Sequence, residues 1–475
     1  MKKHVFIILI VLQFSVAKAQ KYQSTWASLD TRPIPTWFED AKFGIFIHWG
    51  VYSVPAWRKL ESGLYASYAE WYYAKVMYNK DNGGEEFHNK NYGVDFEYRD
   101  FAPMFTAELF DPVFFADLFK RSGAKYVVLT SKHHDGFCLW PTKSPYKKNW
   151  NVMDVGPKKD LLGELTKEVK SAGLKMGLYY SIIEWESSWT HRTQTGYYLP
   201  ENIIEKYKIP EDEYVDKHLI PQLKELVTEY KPSLIFSDAG EWDGTEEYFK
   251  TKEFLTWLYN DSPVKNEIVV NDRFAKNMPG KHGDYYSSEY KDMKSSESFH
   301  PWEESRGIGG SYGFNRAENI DDYNSSGELI HELIDIVSRG GNLLLNVGPT
   351  SDGRIPVIMQ QRLIDIGSWL NVNGEAIYKS RKRAVTNQKT GNQTVYFTTK
   401  KENLYCIFTQ WEDVIEINLL KEKKIENVSI LGYDGKLEYK LIDDNKLRIQ
   451  IPKLTINEIP CFDAWTLKIE LTNRD

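Results

Sequence analysis

Short apolar runs alternate with longer amphipathic segments over most of the chain. Mostly apolar runs of four to eight residues, typical of strands buried on both faces, occur at 43–48, 126–130, 174–181, 234–237, 267–271 and 342–346. Apolar residues at helical spacing predict helices at 111–123, 160–173, 214–230, 328–339 and 356–373. The first of these begins with Asp111-Pro112, an N-cap followed by proline, and ends at Gly123.

Strands that alternate with helices predict a parallel sheet, and this many over roughly 350 residues predict a barrel. Fewer than eight strands are clear from the pattern. The expected fold is therefore a distorted (β/α)8-like barrel of the TIM type.

The hydrophobic period changes to two after residue 383. Short alternating segments occur at 394–399, 404–411, 414–420, 428–431, 437–441, 447–451 and 465–471, with turn residues such as Asp434-Gly435 between them. This pattern predicts a small antiparallel β-sandwich. We therefore expect a catalytic barrel domain over 20–382 and a sandwich domain over 383–475.

Residues 1–19 have the pattern of a secretory signal peptide. Lys2 and Lys3 precede an apolar run at 5–14, and Ala17-Lys18-Ala19 forms a cleavage site. An apolar stretch of about 12–14 residues is too short for a hydrocarbon core that needs roughly 20. We expect a cleaved signal, export to the periplasm or the extracellular medium, and no membrane span.

Charge and composition narrow the function further. Lys and Arg number 60 against 67 Asp and Glu, a net charge of −7, which argues against a nucleic-acid partner. The 15 Trp, 30 Tyr and 23 Phe suit a cleft that stacks on a half-apolar ligand such as a sugar. Only three cysteines occur, so disulfides do not build the fold, and pairing of Cys406 with Cys461 is left open.

Polar residues follow five of the predicted strands. They are His48-Trp49-Gly50, residues 132–136, residues 179–181, Ser237-Asp238 and residues 271–273. Reacting groups in a parallel barrel lie just past the C-terminal ends of the strands. Five such coincidences predict an active site there.

The neighbouring His133, His134 and Asp135 raise the question of a metal. Successive side chains of a strand point to opposite faces, and no H-E-x-x-H helix is present, so we expect no metal and no cofactor. Hydrogen bonding of sugar hydroxyls suits these histidines better, with a structural role in the core as the alternative.

The sequence also excludes two other chemistries. It has neither a G-x-S-x-G elbow nor a phosphate-binding glycine loop after a strand. A carboxylate pair in an aromatic cleft, the equipment of a glycosidase, remains. Asp238 is its first candidate, and capping of the next turn is that residue's alternative role.

Long motifs resemble those of family 29 glycoside hydrolases, the retaining α-L-fucosidases. The most specific are 342–356, which reads NLLLNVGPTSDGRIP, and 367–378. Segments 43–50, 68–72 and 132–137, Ser237-Asp238 and Glu241-Trp242 resemble the same family in the same order. The resemblance extends from Trp26 to Arg381 and implies hydrolysis of terminal α-L-fucose from glycans by double displacement. An inactive fucose-binding protein and a retaining glycosidase for L-galactose are the alternatives.

The resemblance also assigns roles to residues. Asp238 matches the nucleophile, and Arg273 helps to hold it charged. The residues that match fucose contacts are His48, Glu70, Trp71, His133, His134, Tyr180 and Arg273. Glu289 is the expected acid/base, with Glu303 as runner-up and Glu241 behind both. Two departures concern the surroundings of Asp238: Phe236 stands where many relatives have Trp, and Ala239 is an extra residue.

Overall fold

The computed structural model describes residues 21–63, 66–80, 82–187, 199–239, 244–290, 300–419, 423–443 and 445–473. The expected signal peptide, residues 1–19, lies outside these ranges and stays a prediction.

Eight parallel strands form one sheet. They are β1 (Phe43–Ile47), β2 (Tyr126–Lys132), β3 (Lys175–Ser181), β4 (Leu234–Asp238), β5 (Val269–Val270), β6 (Tyr286–Glu289), β7 (Trp302–Gly307) and β8 (Asn342–Val347). Their order is β5-β4-β3-β2-β1-β8-β7-β6. A parallel bridge between Asn271 and Tyr285 joins the two outer strands. The predicted (β/α)8-like fold is confirmed, with β6 and β7 as the strands that the apolar pattern missed.

Helices cover the outside of the sheet. They are α1 (Trp26–Leu29), α2 (Thr36–Ala41), α3 (Gly84–Asn91), α4 (Pro112–Arg121), α5 (Leu161–Ser171), α6 (Glu201–Tyr207), α7 (Glu211–Glu213), α8 (Ile220–Tyr230), α9 (Thr251–Asn260), α10 (Ser326–Ser338) and α11 (Val357–Ile377). The Asp111 side chain accepts hydrogen bonds from the backbone of Val113 and Phe114 and so caps α4 as predicted. The segment predicted as one helix at 214–230 is a π-helical stretch, Tyr214–Leu219, followed by α8.

Side chains alternate in direction along each strand, and this alternation divides the core into an inner and an outer layer. Phe46, Tyr179 and Phe236 pack together inside the barrel, above Phe38 of α2. Side chains of opposite parity pack outward against the helices. Ser181 pairs with Asp238 in the β3–β4 register, and Tyr179 pairs with Phe236. Tyr179 therefore faces the same interior as Asp238.

The C-terminal part is antiparallel, as predicted. Its strands are β9 (Arg381–Thr390), β10 (Gln393–Lys400), β11 (Asn403–Phe408), β12 (Val414–Asn418), β13 (Lys423–Ile430), β14 (Glu438–Asp443), β15 (Lys446–Gln450) and β16 (Trp465–Asn473). They form a five-stranded sheet, β13-β16-β11-β10-β9, and a three-stranded sheet, β12-β15-β14. Cys406 and Cys461 are both free thiols in this part. Within the described ranges, every helix is too short or too polar to cross a bilayer.

Candidate active site

A cavity of about 240 Å³ opens at the C-terminal ends of the barrel strands. This volume is below the roughly 300–1,000 Å³ of sites for drug-sized ligands and suits a small one. The lining residues are Phe46, His48, Tyr68, Glu70, Trp71, Lys75, His133, His134, Tyr179, Asp238, Arg273, Glu289 and Tyr312. Eight of the nine residues predicted for the catalytic and fucose-contacting set are among them.

Asp238 ends β4 and is the most heavily supported carboxylate of the cavity. Its Oδ2 accepts a hydrogen bond of 2.9 Å from the Tyr179 hydroxyl, and His134 Nε2 lies 3.4 Å from the same oxygen. Arg273 Nη1 lies 3.7 Å from Oδ1. Burial acts to raise the pKa of Asp238, but the Arg273 charge and the two donors outweigh it and hold that pKa below its ordinary value. Asp238 is therefore an anion at neutral pH.

Glu289 ends β6 and shares a cation with Asp238. Its Oε1 contacts Nη1 of Arg273, the atom that also faces Asp238. One guanidinium thus lies between two half-buried carboxylates on β4 and β6, the strands on either side of β5. Asp238 and Glu289 supply the two carboxyl groups that most glycoside hydrolases use.

Hydrogen bonds behind the cavity fix the tautomer of His48. Asn346 Nδ2 donates to the Tyr312 carbonyl, so Asn346 Oδ1 accepts from Nδ1 of His48 at 2.7 Å. Burial lowers the pKa of His48 to about 3, and the ring is neutral. Its Nε2 is left as an acceptor for a ligand hydroxyl.

Two further polar atoms of the cavity wall are buried. Nδ1 of His133 and Oε1 of Glu70 have no hydrogen-bond partner among the described residues. The other oxygen of Glu70 accepts from the Gly313 backbone at 2.8 Å and from Ser311 at 3.2 Å. Burial raises the pKa of Glu70 to about 7. Because buried polar groups are almost always paired, these two atoms are suited to a polar ligand.

Ser181 orients His134 toward the nucleophile candidate. The serine hydroxyl donates to the Ile183 carbonyl, and its oxygen lies 2.6 Å from Nδ1 of His134. This contact fixes the orientation of the ring and turns Nε2 toward Asp238. In many enzyme sites, a hydrogen bond from behind sets the orientation of the side chain that contacts the ligand.

The structure places Tyr180 away from the cavity, so the expectation that it lines the fucose site is wrong. Its hydroxyl donates to Gln222 Oε1 at 2.8 Å and accepts from Lys132 Nζ at 3.0 Å, on the outer face of β3. The physical reason is strand parity, which turns the preceding residue, Tyr179, inward.

Glu303, the runner-up acid/base, also lies outside the cavity. It is the second residue of β7, fully buried in the barrel interior, and accepts a hydrogen bond from Tyr126 at the start of β2. Burial raises its pKa to about 8. Glu303 is thus deeper in the barrel than Glu289, which ends its strand. Glu241, the third candidate, lies outside the described residues.

Five lining residues lie outside the predicted catalytic and fucose-contacting set: Phe46, Tyr68, Lys75, Tyr179 and Tyr312. The inward orientation of Tyr179 follows from the alternation of side chains along β3 once the β3–β4 register is known. Tyr68 begins the predicted motif at 68–72, and Phe46 lies inside the motif at 43–50. Lys75, in the π-helical stretch Tyr72–Val76, and Tyr312, in the loop after β7, carry no pattern that places them at the cavity.

The described residues offer no cluster of three or more His, Cys, Asp or Glu side chains able to hold a metal ion. The acidic and basic groups that line the cavity are three carboxyl groups, three imidazoles, the Arg273 guanidinium and the Lys75 ammonium group.

Two carboxyl groups in an aromatic cavity at the C-terminal ends of parallel barrel strands are the arrangement that glycoside hydrolases use. The family model described as Alpha-L-fucosidase matches residues 9–375, and the model of the Alpha-L-fucosidase C-terminal domain matches residues 387–470. The chain belongs to the α-L-fucosidase family of glycoside hydrolases.

Similar proteins agree in sequence and in structure. The chain is 41% identical over 462 residues to the tissue α-L-fucosidase of Homo sapiens, covering 96% of this chain and 94% of that protein. It is 39% identical over 466 residues to the plasma α-L-fucosidase of Homo sapiens, covering 95% and 93%. The Thermotoga maritima α-fucosidase in complex with fucose superposes with a TM-score of 0.80 at 37% identity, covering 94% of this chain and 100% of that one.

Proposed function

We propose that this protein is an exo-acting, retaining α-L-fucosidase that removes terminal α-L-fucose from glycans through a covalent fucosyl–enzyme. The observation that carries the proposal is the guanidinium of Arg273, whose Nη1 faces both Asp238 and Glu289 in one cavity. The solved complex of the Thermotoga maritima α-fucosidase with fucose supports the choice of sugar.

In the first step, Asp238 attacks the anomeric carbon as an ionised carboxylate. Oδ1 faces Arg273 and Oδ2 faces Tyr179 and His134, so the charge is held before the substrate arrives. A carboxylic acid at Glu289 gives its proton to the leaving glycosidic oxygen. The C1–O bond to the aglycone breaks as the ester bond to Asp238 forms.

In the second step, Glu289 acts as the base. It takes a proton from a water molecule, which attacks the anomeric carbon and releases Asp238 as a carboxylate. The two inversions give fucose with its original anomeric configuration.

The remaining lining residues account for recognition of a deoxy sugar. Neutral His48, His133 and the buried Oε1 of Glu70 offer hydrogen bonds to hydroxyls. Phe46, Tyr68, Tyr179 and Tyr312 supply aromatic surface that suits a methyl group at C6. A 6-hydroxyl against that surface would lose hydrogen bonds to water without replacement.

The test is hydrolysis of an aryl α-L-fucoside followed by proton NMR of the first sugar released. We expect α-L-fucose as the initial product and a much lower rate on the aryl α-L-galactoside. Initial β-L-fucose contradicts the double displacement, a preference for the galactoside contradicts the sugar assignment, and binding without turnover indicates an inactive relative.

We further propose that the protein is exported and that residues 1–19 are removed. The charged, apolar and small-residue order of that segment supports this proposal. N-terminal sequencing of the protein from its native host tests it. A mature N-terminus at Gln20 is expected, and an intact Met1 on the purified protein contradicts it.

A further inference from the structure

The opening of the cavity is defined by four of its residues. Nine of the thirteen lining residues are buried, and Trp71, Lys75, Asp238 and Glu289 are the half-buried ones. In an exo-acting enzyme the fucose ring occupies the closed end, and the aglycone remains at the opening. The proposed nucleophile and acid/base lie at this opening, so the bond that breaks lies there too. Among the described residues, Trp71 and Lys75 are the other half-buried lining residues that an aglycone meets.

Lys75 contacts Trp71 at this opening. It follows Trp71 by four residues, and its Nζ lies 4.3 Å from the centroid of the Trp71 ring. A cation over an indole face is attracted by the ring quadrupole, which favours this position of the ammonium group. Burial, and then the positive charge of Arg58, lower the pKa of Lys75 to about 8, so the group is mostly protonated at neutral pH.

The local charge differs from that of the whole chain. The protein carries a net charge of −7, which repels anions at a distance. At the opening, the Lys75 ammonium group carries a positive charge and the charge of Arg58 acts on it from nearby, while the carboxyl groups of Asp238 and Glu289 face Arg273. An anionic group on the aglycone would therefore be attracted on the Lys75 side of the opening.

We propose that Lys75 is a specificity-determining residue that selects fucosides whose leaving group carries an anionic substituent, either a carboxylate or a sulfate ester. This inference rests on the proposed function. Its ammonium group pairs with that substituent while the fucose ring fills the closed end of the cavity.

Three aryl α-L-fucosides test the proposal: a neutral nitrophenyl fucoside and two analogues that carry a carboxylate or a sulfonate on the ring. The quantity measured is the ratio of kcat/KM on each anionic substrate to kcat/KM on the neutral one. Comparing this ratio between wild type and variants cancels the intrinsic reactivity of each aglycone. The two anionic analogues separately represent the carboxylate and sulfate ester sources.

We expect Lys75→Met to lower the ratio by about 3- to 10-fold, the effect of losing a partly buried ion pair. Lys75→Gln provides a second uncharged variant, and Lys75→Arg is expected to keep the preference. Lys224→Met is the matched control, because Lys224 Nζ also lies over a tryptophan, 5.1 Å from the Trp257 ring centroid, but does not line the cavity. Its ratio should equal that of wild type. The wild-type preference should shrink at high salt, because the Debye length falls from about 10 Å at 0.1 M to about 3 Å at 1 M.

Two results overturn the proposal: equal ratios for wild type and both uncharged Lys75 variants, or a loss of preference in Lys224→Met as large as in Lys75→Met. If wild type prefers only one of the two anionic analogues, the proposal is supported for that anionic group, carboxylate or sulfate ester, and overturned for the other group. Failure of wild type to hydrolyse even the neutral fucoside contradicts the proposed function instead, so the two failures are distinguishable.

Discussion

Two adjacent tyrosines on β3 provide a sharp test of how the cavity is built. Tyr179 and Tyr180 are both buried and both hydrogen-bonded, but they face opposite sides of the strand. Tyr179→Phe removes a donor to Asp238, whereas Tyr180→Phe removes a hydroxyl that joins Lys132 and Gln222 behind the barrel. We expect the first change to reduce catalysis and the second to reduce stability.

The magnitudes follow from the contacts. A hydrogen bond to a charged group contributes about 1.5–3 kcal/mol, and Asp238 keeps Arg273 and His134, so kcat/KM should fall by about 10- to 100-fold in Tyr179→Phe. Tyr180→Phe leaves buried partners with one contact fewer and should lower the free energy of unfolding by about 1–3 kcal/mol. Lys132 retains its ion pair with Glu184 at 2.6 Å, which limits that loss.

The pH profile gives a second readout that a merely structural role would not move. Burial raises the pKa of Asp238, and Tyr179 is one of the groups that more than offset it. Asp238 must be ionised to attack, so activity is lost as the pH falls through its pKa. Removal of the Tyr179 donor raises that pKa and moves the acid limb of kcat/KM to higher pH, while Tyr180→Phe leaves the limb in place.

The assay is steady-state hydrolysis of an aryl α-L-fucoside across pH, with urea unfolding of each variant. The reasoning is refuted if Tyr180→Phe loses as much kcat/KM as Tyr179→Phe. An acid limb that does not move in Tyr179→Phe refutes it equally.

Three further changes test other parts of the account. Glu289→Ala should lose about 10²- to 10⁴-fold in kcat on natural glycans and less on a nitrophenyl fucoside, whose leaving group needs no proton; equal losses on both would speak against the acid role. Glu303→Gln should flatten the pH dependence of stability measured by urea unfolding. The neutral buried acid stabilises the wild type fully below about pH 4.5, and that contribution is lost as the pH rises through about 8; a variant that keeps the wild-type slope contradicts this. Asn346→Leu should weaken inhibition by free L-fucose about 10-fold, because His48 loses the acceptor that fixes its tautomer, and an unchanged inhibition constant would disprove that role.

The apolar pattern predicted the strands whose buried side chains are mostly apolar and missed the two whose side chains are mostly polar. Strands β1, β2, β4 and β8 read as nearly continuous apolar runs. Strands β6 and β7 are rich in serine and glutamate, whose polar groups find partners within the fold. The hydroxyl groups of Ser305 and Tyr312 are hydrogen-bonded at 2.8 Å, and the Glu303 carboxyl group accepts a hydrogen bond from the Tyr126 hydroxyl. Such long-range pairs leave no periodic signal in the sequence.

The choices that the sequence left open in the site have the same origin. Choosing between Tyr179 and Tyr180 needs the β3–β4 register, and choosing between Glu289 and Glu303 needs the depth of each residue along its strand. Neither quantity is encoded in local spacing. The residues that end strands within recognisable motifs, such as His48 and Asp238, were predictable because their position relative to an apolar run is local.

The most direct measurement of the central claim is covalent trapping with a fluorinated fucosyl reagent, followed by peptide mapping. A single label is expected on Asp238, in the peptide that contains Leu234–Asp238, and none on the Asp238→Ala protein. A label on Glu289 or on any other residue would contradict the assignment of Asp238 as the nucleophile.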